Sequence, residues 1–109
     1  TILAGAQVVI PTGIAVAIPD HYVGIVAVRS SMGVRNGISL SNGIGVIDAD
    51  YRGPLGVGLR NNQGDPYTIQ PGDRVAQLLV VPVACPEIEI VDELPPTERG
   101  EGGFGSTGT

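Results

Sequence analysis

The chain has 109 residues, of which 42% are hydrophobic, 16% charged and only 4% aromatic, so it is long enough for one domain with an aliphatic core. Its net charge is -5 and its six basic residues are all Arg, which argues against a basic face for duplex nucleic acid. No apolar run reaches the roughly 20 residues of a membrane span, and no segment resembles a signal peptide. The single Cys85 excludes an internal disulfide and a Cys-based zinc site.

These properties also suggest where and how the protein works. A lone cysteine fits a reducing compartment, so we expect a cytoplasmic protein, with the nucleus or an organelle as alternatives. Because charged residues are sparse, we expect part of the surface to be hidden in an oligomer.

Glycine and proline divide the chain into short strands. With 17 Gly and nine Pro, few windows are long enough for a helix of about ten residues. Three windows alternate apolar with small or charged residues, which predicts strands with one solvated face, and a fourth is almost continuously apolar, as in a strand covered on both faces. We expect strands at 14–18, 55–60, 74–81 and 87–90, a short helical turn within 30–37, and turns at 61–65 and 70–73. Such a pattern predicts an all-β barrel or sandwich.

The composition changes once, at Pro95 and Pro96. We therefore predict a body of residues 1–95 followed by a flexible, Gly-rich C-terminal arm, residues 96–109.

The first stretch that could carry chemistry is VRSSMG, which places Arg29 and two hydroxyls after an apolar strand. An Arg with Ser side chains and backbone N–H groups suits a phosphate. The alternative is a Ser that caps a short helical turn. His21, the only His, is expected at the surface, which argues against a nucleophile activated by His.

The second stretch is NGIGVIDADYRG, residues 42–53. Asn-Gly favours a tight turn with positive φ, so we predict a hairpin whose backbone edge reads a small planar ligand. Asp48 and Asp50 would share one strand face if the pairing were regular. The alternative is a hairpin with two solvated acids.

The third stretch is GDRVAQ, residues 72–77. Gln77 stands within an apolar strand, where its amide needs hydrogen-bond partners from a ligand or from neighbouring backbone. We expect Asp73 and Arg74 to form a structural pair.

The fourth stretch is the end of the arm, RGEGGFGSTGT. Its glycines would let backbone N–H groups wrap an anion, to which Arg99, Ser106 and Thr107 add charge and hydroxyl donors. Phe104, the only Phe, is a stacking platform for a base. The alternative is a disordered C-terminus.

In this order, the four stretches resemble the second to fifth motifs of the dUTPase family, the trimeric, all-β deoxyuridine triphosphatases. The similarity runs from VIPTG at residues 9–13 to Thr107. Any one motif is a weak signal, but their ordered combination is highly specific. Two positions depart from the family pattern, with Val28 in place of Pro and Ser31 in place of Gly.

The resemblance implies a distorted β-barrel or jelly roll, the β-clip of dUTPases, in a homotrimer. Its active sites would lie between subunits, with the arm closing over a site made largely by other chains. It also implies an enzyme, a dUTP diphosphatase that hydrolyses dUTP to dUMP and pyrophosphate with Mg²⁺. That activity limits uracil in DNA and supplies dUMP for thymidylate synthesis.

The resemblance assigns a role to each matching residue. Asp48 would be the catalytic residue that activates water, Tyr51 would pack on deoxyribose, and Asn42 with the hairpin backbone would read uracil. The other substrate-binding residues it implies are Arg29, Ser30, Ser31 and Gln77 in the body, and Arg99, Phe104, Gly105, Ser106 and Thr107 in the arm.

The metal is expected to come with the substrate. The family's first motif, an Ala-Gly-x-Asp-Leu strand whose Asp helps to hold magnesium through water, does not occur in these 109 residues and would lie upstream of Thr1. We therefore expect no metal ligand from this sequence, and Mg²⁺ held by the substrate phosphates and water.

Two alternative functions remain. The dCTP deaminases share the fold, and RSSMG resembles their second motif, but Tyr51 follows the dUTPase pattern. Their catalytic Glu would be expected two residues before Arg60, where this chain has Gly58. A non-catalytic nucleotide- or partner-binding module would fit the missing first motif, although such a module would not require Asp48 and Gln77.

Overall fold

The computed structural model describes residues 1–108 and is built almost entirely of antiparallel strands. A single π-helical turn, Ser31–Arg35, called the π turn below, confirms the predicted helical turn. The strands are β1 (Gln7–Pro11), β2 (Tyr22–Val28), β3 (Ile38–Leu40), β4 (Gly45–Ile47), β5 (Gly56–Asn61) and β6 (Ala76–Pro82). They form two three-stranded sheets, β1-β5-β3 and β4-β2-β6, which confirms the all-β class.

The hydrophobic core lies around β5. Leu55, Val57 and Leu59 are buried while Gly56 and Arg60 are exposed, so the alternation predicted at 55–60 is confirmed. The buried cluster consists of Ile2, Met32, Ile38, Leu40, Val57 and Leu59. Because its members are far apart in the chain, this core ties the first residues and the π turn to the middle of the sheet.

Within residues 1–108, one polar side chain is fully buried with the core, that of Asn61. Its amide donates to the carbonyl oxygens of Ile2, 3.0 Å away, and Asp65, 2.7 Å away. Its Oδ1 accepts the N–H of Gln63 at 2.9 Å. Asn61 thus stabilises the predicted 61–65 turn from inside the molecule, since a buried amide is tolerated when its donors and acceptors are all satisfied.

The predicted turn at 70–73 is also confirmed. The N–H of Asp73 donates to the carbonyl of Gln70 at 3.0 Å, and the carboxylate of Asp73 accepts the N–H of Gln70 at 2.8 Å. The carboxylate of Asp73 therefore closes its own turn, the local side-chain-to-backbone bond typical of Asp in turns. The predicted position of His21 at the surface is confirmed as well.

Two predicted strands are wrong for the single chain. Residues 14–18 and 87–90 belong to no strand of the described chain, and Ile88 and Ile90 are 92% and 95% exposed. A strand needs a hydrogen-bonding neighbour, and alternation in the sequence says nothing about where that neighbour comes from.

The predicted strand at 74–81 forms as β6, but it is not covered on both faces. Leu78, Leu79 and Val80 are each more than one-third exposed. A single copy of the chain therefore leaves exposed several apolar residues of β6 that a strand covered on both faces would bury.

The chain as a whole exposes more surface than a compact monomer. Its accessible area is 8325 Å², against about 5,700 Å² for a folded monomer of this mass. Its radius of gyration is 18.8 Å, against about 13 Å for a compact domain of similar length. Within residues 1–108, no helix is long and apolar enough to span a membrane.

Candidate active site

The predicted tight turn at Asn42 is present, but the predicted hairpin is wrong. Gly43 has φ 76° and donates its N–H to the carbonyl of Leu40 at 3.1 Å. However, β3 pairs with β5 whereas β4 pairs with β2. The Asn-Gly turn therefore carries the chain from one sheet to the other, because each strand finds a longer partner elsewhere.

Asp48 is the first residue after β4. Its carbonyl accepts the N–H of Tyr51 at 3.1 Å, so the chain turns at once and Asp48 and Asp50 do not share a strand face. Arg52 fixes this turn through Nη1, which donates to the carbonyls of Ala49 and Tyr51 at 2.6 and 3.1 Å. The Asp48 carboxylate is left exposed and available for a ligand.

Tyr51 is held in place by its hydroxyl, which donates to the carbonyl of Pro54 at 2.9 Å. A side chain at Gly53 would collide with the Tyr51 hydroxyl, which explains why glycine is needed in this turn. Tyr51 nonetheless keeps 43% of its surface exposed. The turn thus presents a fixed aromatic ring beside a free carboxylate.

Two small pockets adjoin this turn. Asp48 and Tyr51 line one of about 210 Å³, and Asn42 lines the other, of about 150 Å³. The pockets share the β4 residues Val46 and Ile47 together with Gly56. The structure therefore brings Asn42 and Asp48 to adjoining pockets that share residues of β4.

A second group of predicted residues lies at the far end of β2. Gln77 pairs with Ala27, and its amide donates to the carbonyl of Val28 at 3.5 Å. The N–H of Arg29 donates to the carbonyl of Val75 at 3.4 Å. The structure thus places Arg29 next to the β6 strand that carries Gln77. Gln77 itself is exposed.

The interpretation of Ser30 as a helix cap is wrong. Ser30 occupies the N-cap position of the π turn, yet its side chain makes no capping hydrogen bond. Ser30 and Ser31 are both exposed, which leaves both side chains accessible to a ligand beside Arg29.

The two groups do not meet within one chain. Ile47, the residue before Asp48, pairs with Gly24, and Arg29 lies five residues beyond Gly24, just past the end of β2. At about 3.3 Å per residue, roughly 16 Å of strand separates them. They also line different pockets, since Arg29 borders one of about 580 Å³ beneath the 70–73 turn.

The arm makes local turns. Arg99 donates through Nε to the carbonyl of Gly102 at 2.8 Å, and the N–H of Ser106 donates to the carbonyl of Gly103 at 3.1 Å. Phe104 is completely exposed. Thr109, the last residue of the predicted arm, lies outside the described residues. The arm residues singled out in the sequence are thus presented to solvent rather than to the body of their own chain.

Sequence reasoning missed Arg52 and Pro54, which fix the Asp48–Tyr51 turn. Their only signal was adjacency to Tyr51 in DADYRGP. The predicted pair of Asp73 and Arg74 is replaced by the turn described above. Within residues 1–108, no group of three or more His, Cys, Asp or Glu side chains could hold a metal ion.

This arrangement defines an all-β protein with a carboxylate-and-tyrosine pocket and a separate Arg, Ser and Gln cluster. The dUTPase family model matches residues 1–108. The deoxyuridine 5'-triphosphate nucleotidohydrolase of Glaesserella parasuis is 50% identical over 99% of this chain and 72% of its own length. That of Shewanella amazonensis is 51% identical over 100% of this chain and 72% of its own length. The chain belongs to the dUTPase family.

Solved structures agree with this assignment. A mutant of the dUTPase of phage 80α superimposes with a TM-score of 0.83 at 30% identity, covering 96% of this chain and 78% of the phage chain. The Staphylococcus bacteriophage 80α dUTPase with dUpNHpp gives 0.78 at 29% identity over 99% and 84% of the two chains. A phage phi11 dUTPase mutant, described as coordinating a structural Mg(II) ion, gives 0.73 at 30% identity over 84% and 76%.

Proposed function

We propose that this protein hydrolyses dUTP to dUMP and pyrophosphate. The observation that carries the proposal is the Asp48–Tyr51 turn, which sets an exposed carboxylate beside a fixed aromatic ring in one pocket. The names of the related proteins support the same substrate. In a cell, the reaction removes dUTP before it can enter DNA and yields dUMP for thymidylate synthesis.

Asp48 is the proposed general base. It accepts a proton from water as the water oxygen bonds to the α-phosphorus. The bond from that phosphorus to the bridging oxygen breaks on the opposite side, and pyrophosphate leaves with the electron pair. A positioned carboxylate of this kind contributes about 10²- to 10⁴-fold to the rate, and holding the water in line with the leaving group adds the benefit of orientation.

Tyr51 and Asn42 are the proposed specificity residues. Because the Tyr51 hydroxyl is bonded to the Pro54 carbonyl, the ring is fixed and can pack on deoxyribose without room for a 2′-hydroxyl. Asn42 and the β4 backbone, around the pocket of about 150 Å³, would read the donors and acceptors of uracil. Cytosine presents the opposite pattern, and a small pocket rejects the thymine methyl group.

We assign binding of the triphosphate to the residues around Arg29 and Gln77 and to the arm. Arg29, Ser30, Ser31 and Gln77 offer the charge-assisted and neutral hydrogen bonds that phosphates favour. Arg99, Gly105, Ser106 and Thr107 would hold the terminal phosphate, and Phe104 would stack over uracil. The complete exposure of Phe104 supports this role, because a free aromatic ring on a glycine-rich arm gains most from covering a ligand.

We propose Mg²⁺ as the cofactor, bound through the substrate. The described residues do not form a metal cage, and magnesium is often held by one or two carboxylates together with substrate phosphates and waters. When bound, it would neutralise phosphate charge, which a protein of net charge -5 supplies poorly. The proposed roles of the body residues in binding and orienting the nucleotide do not depend on which groups complete the coordination shell of the metal.

We propose a homotrimer with active sites shared between subunits. Three observations support it: the excess accessible area, the exposed apolar residues of β6, and the alternating segment 87–90, which has no partner strand within residues 1–108. Asp48 and Arg29 are also separated along β2 within one chain. This separation supports an active site in which Asp48 and Arg29 come from different subunits. We expect a cytoplasmic enzyme, in keeping with the single unpaired cysteine.

The test is pyrophosphate release from dUTP, dCTP, dTTP and UTP, with and without Mg²⁺. Of the four nucleotides, we expect only dUTP to release pyrophosphate, and we expect Mg²⁺ to increase the rate of that release strongly. Ammonia release from dCTP would instead identify a deaminase, which Gly58 argues against because it offers no carboxylate in the Asn42 pocket. Tight binding of dUTP without hydrolysis would identify a non-catalytic module. Light scattering should give three times the chain mass of 11.1 kDa.

A further inference from the structure

The π turn is anchored by two residues to which the proposed mechanism gives no role, Asn36 and Tyr67. The amide nitrogen of Asn36 donates to the carbonyl of Ser31 at 3.2 Å and to the hydroxyl of Tyr67 at 3.4 Å. The Tyr67 hydroxyl in turn donates to Sδ of buried Met32 at 3.6 Å. Both side chains are half-buried. The two bonds of the Tyr67 hydroxyl are partly shielded from water, whereas the bond from Asn36 to Ser31 is exposed.

Tyr67 is itself fixed to the core. Its N–H donates to the carbonyl of Ile2 at 2.9 Å, and its carbonyl accepts the N–H of Ile2 at 2.7 Å. Ile2 is only 2% exposed. A continuous path of hydrogen bonds therefore runs from the buried Ile2 through Tyr67 and Asn36 to the carbonyl of Ser31.

The start of the π turn, where Asn36 and Tyr67 attach, has no side-chain cap of its own. Ser30 makes no capping bond, and at this end the N–H groups of Met32 and Gly33 share the single carbonyl of Arg29, each at 3.0 Å. π-helical turns are rare and often occur at functional sites, where their conformation must be held by surrounding contacts. Asn36 and Tyr67 supply such contacts through Ser31 and Met32.

We infer that Asn36 and Tyr67 are positioning residues that hold the π turn so that Arg29, Ser30 and Ser31 converge on the phosphate chain of the nucleotide. This inference rests on the proposed function for the identity of the ligand. It predicts that the pair affects recognition of the triphosphate and leaves recognition of the uracil and sugar unchanged, because the latter groups are bound beside β4.

The primary test uses Tyr67→Phe, which removes one hydroxyl and keeps the ring, with Asn36→Ala as an independent second variant. Tyr22→Phe removes the hydroxyl of a 40% exposed tyrosine and serves as the matched control. We expect KM for dUTP to rise about 2- to 10-fold for Tyr67→Phe, because the two lost hydrogen bonds, from Asn36 and to Met32 Sδ, are both neutral and long. The kcat should be nearly unchanged. The affinity for dUpNHpp should fall by the same factor while that for dUMP changes much less.

The double variant provides a further check. Because both substitutions remove the same bond between Asn36 and Tyr67, their combined effect on KM should be smaller than the product of the separate effects. Fully multiplicative effects would refute the shared path. Lower thermal stability with unchanged KM and unchanged dUpNHpp affinity would show a purely structural role and overturn the inference.

The experiments distinguish failure of the proposed function from failure of the positioning role of Asn36 and Tyr67. If the wild-type protein released no pyrophosphate from dUTP, the proposed function would fail. The affinity of each variant for dUpNHpp, measured by calorimetry without turnover, tests the positioning role in either case. Equal loss of affinity for dUpNHpp and dUMP would contradict it, since the defect would then not be confined to the phosphates.

Discussion

Replacing Asp48 by Asn should stop turnover while leaving the nucleotide bound. Asp48 is exposed, and its backbone carbonyl rather than its carboxylate closes the turn with Tyr51. The substitution should therefore change the free energy of unfolding by no more than about 0.5 kcal/mol, as for other exposed sites. Loss of the base should raise the barrier by about 2.7 to 5.5 kcal/mol, a rate lower by about 10² to 10⁴. Removing a negative charge beside the triphosphate should slightly strengthen binding.

The assay is single-turnover pyrophosphate release from dUTP, together with calorimetric titration of dUpNHpp. Asp50→Asn is the matched control, because Asp50 lies two residues away in the same turn and carries the same charge. A rate for Asp48→Asn within tenfold of wild type would refute the assignment of the base. Equal loss in both variants would point to a general charge effect instead.

Three further predictions concern the fold, the specificity and the arm. Asn61→Ala should lower the free energy of unfolding by about 3 kcal/mol in urea denaturation, since it removes three hydrogen bonds of a fully buried side chain. The exposed Asn62→Ala should cost much less, and equal costs would contradict the reasoning. Gly53→Ala should displace the Tyr51 ring and reduce the ratio of kcat/KM for dUTP over UTP at least several-fold, whereas an unchanged ratio would exclude Tyr51 as the sugar sensor. Adding dUpNHpp and Mg²⁺ should slow proteolysis in the arm, residues 96–109, and unchanged cleavage would argue against closure.

Local chemistry explains the elements that sequence patterns predicted correctly. Asp73 closes its own turn within four residues, and Gly43 supplies the positive φ that the turn after Asn42 requires. β5 could be predicted because its apolar residues, Val57 and Leu59, face a core formed by the same chain. These features depend on neighbours in sequence or on a burial pattern that one chain satisfies.

Sequence patterns failed where the partner of a segment was not local. The β3–β4 hairpin was expected from its turn, yet each strand pairs within a different sheet. Residue type favours a Ser30 cap, yet Asn36 and Tyr67 hold the first residues of the π turn instead. Neither outcome follows from residue type or turn chemistry alone, since both depend on which strands or side chains compete for the same hydrogen bonds.

The sequence by itself determined the all-β class, the turns and the identity of the motif residues, because these follow from backbone preferences and side-chain chemistry. Only the tertiary structure decided that Arg29 lies beside β6, that Asn42 and Asp48 occupy adjoining pockets, and that Asp48 and Arg29 stand toward opposite ends of β2. Strand register sets these distances, and register arises from pairings between residues far apart in the chain.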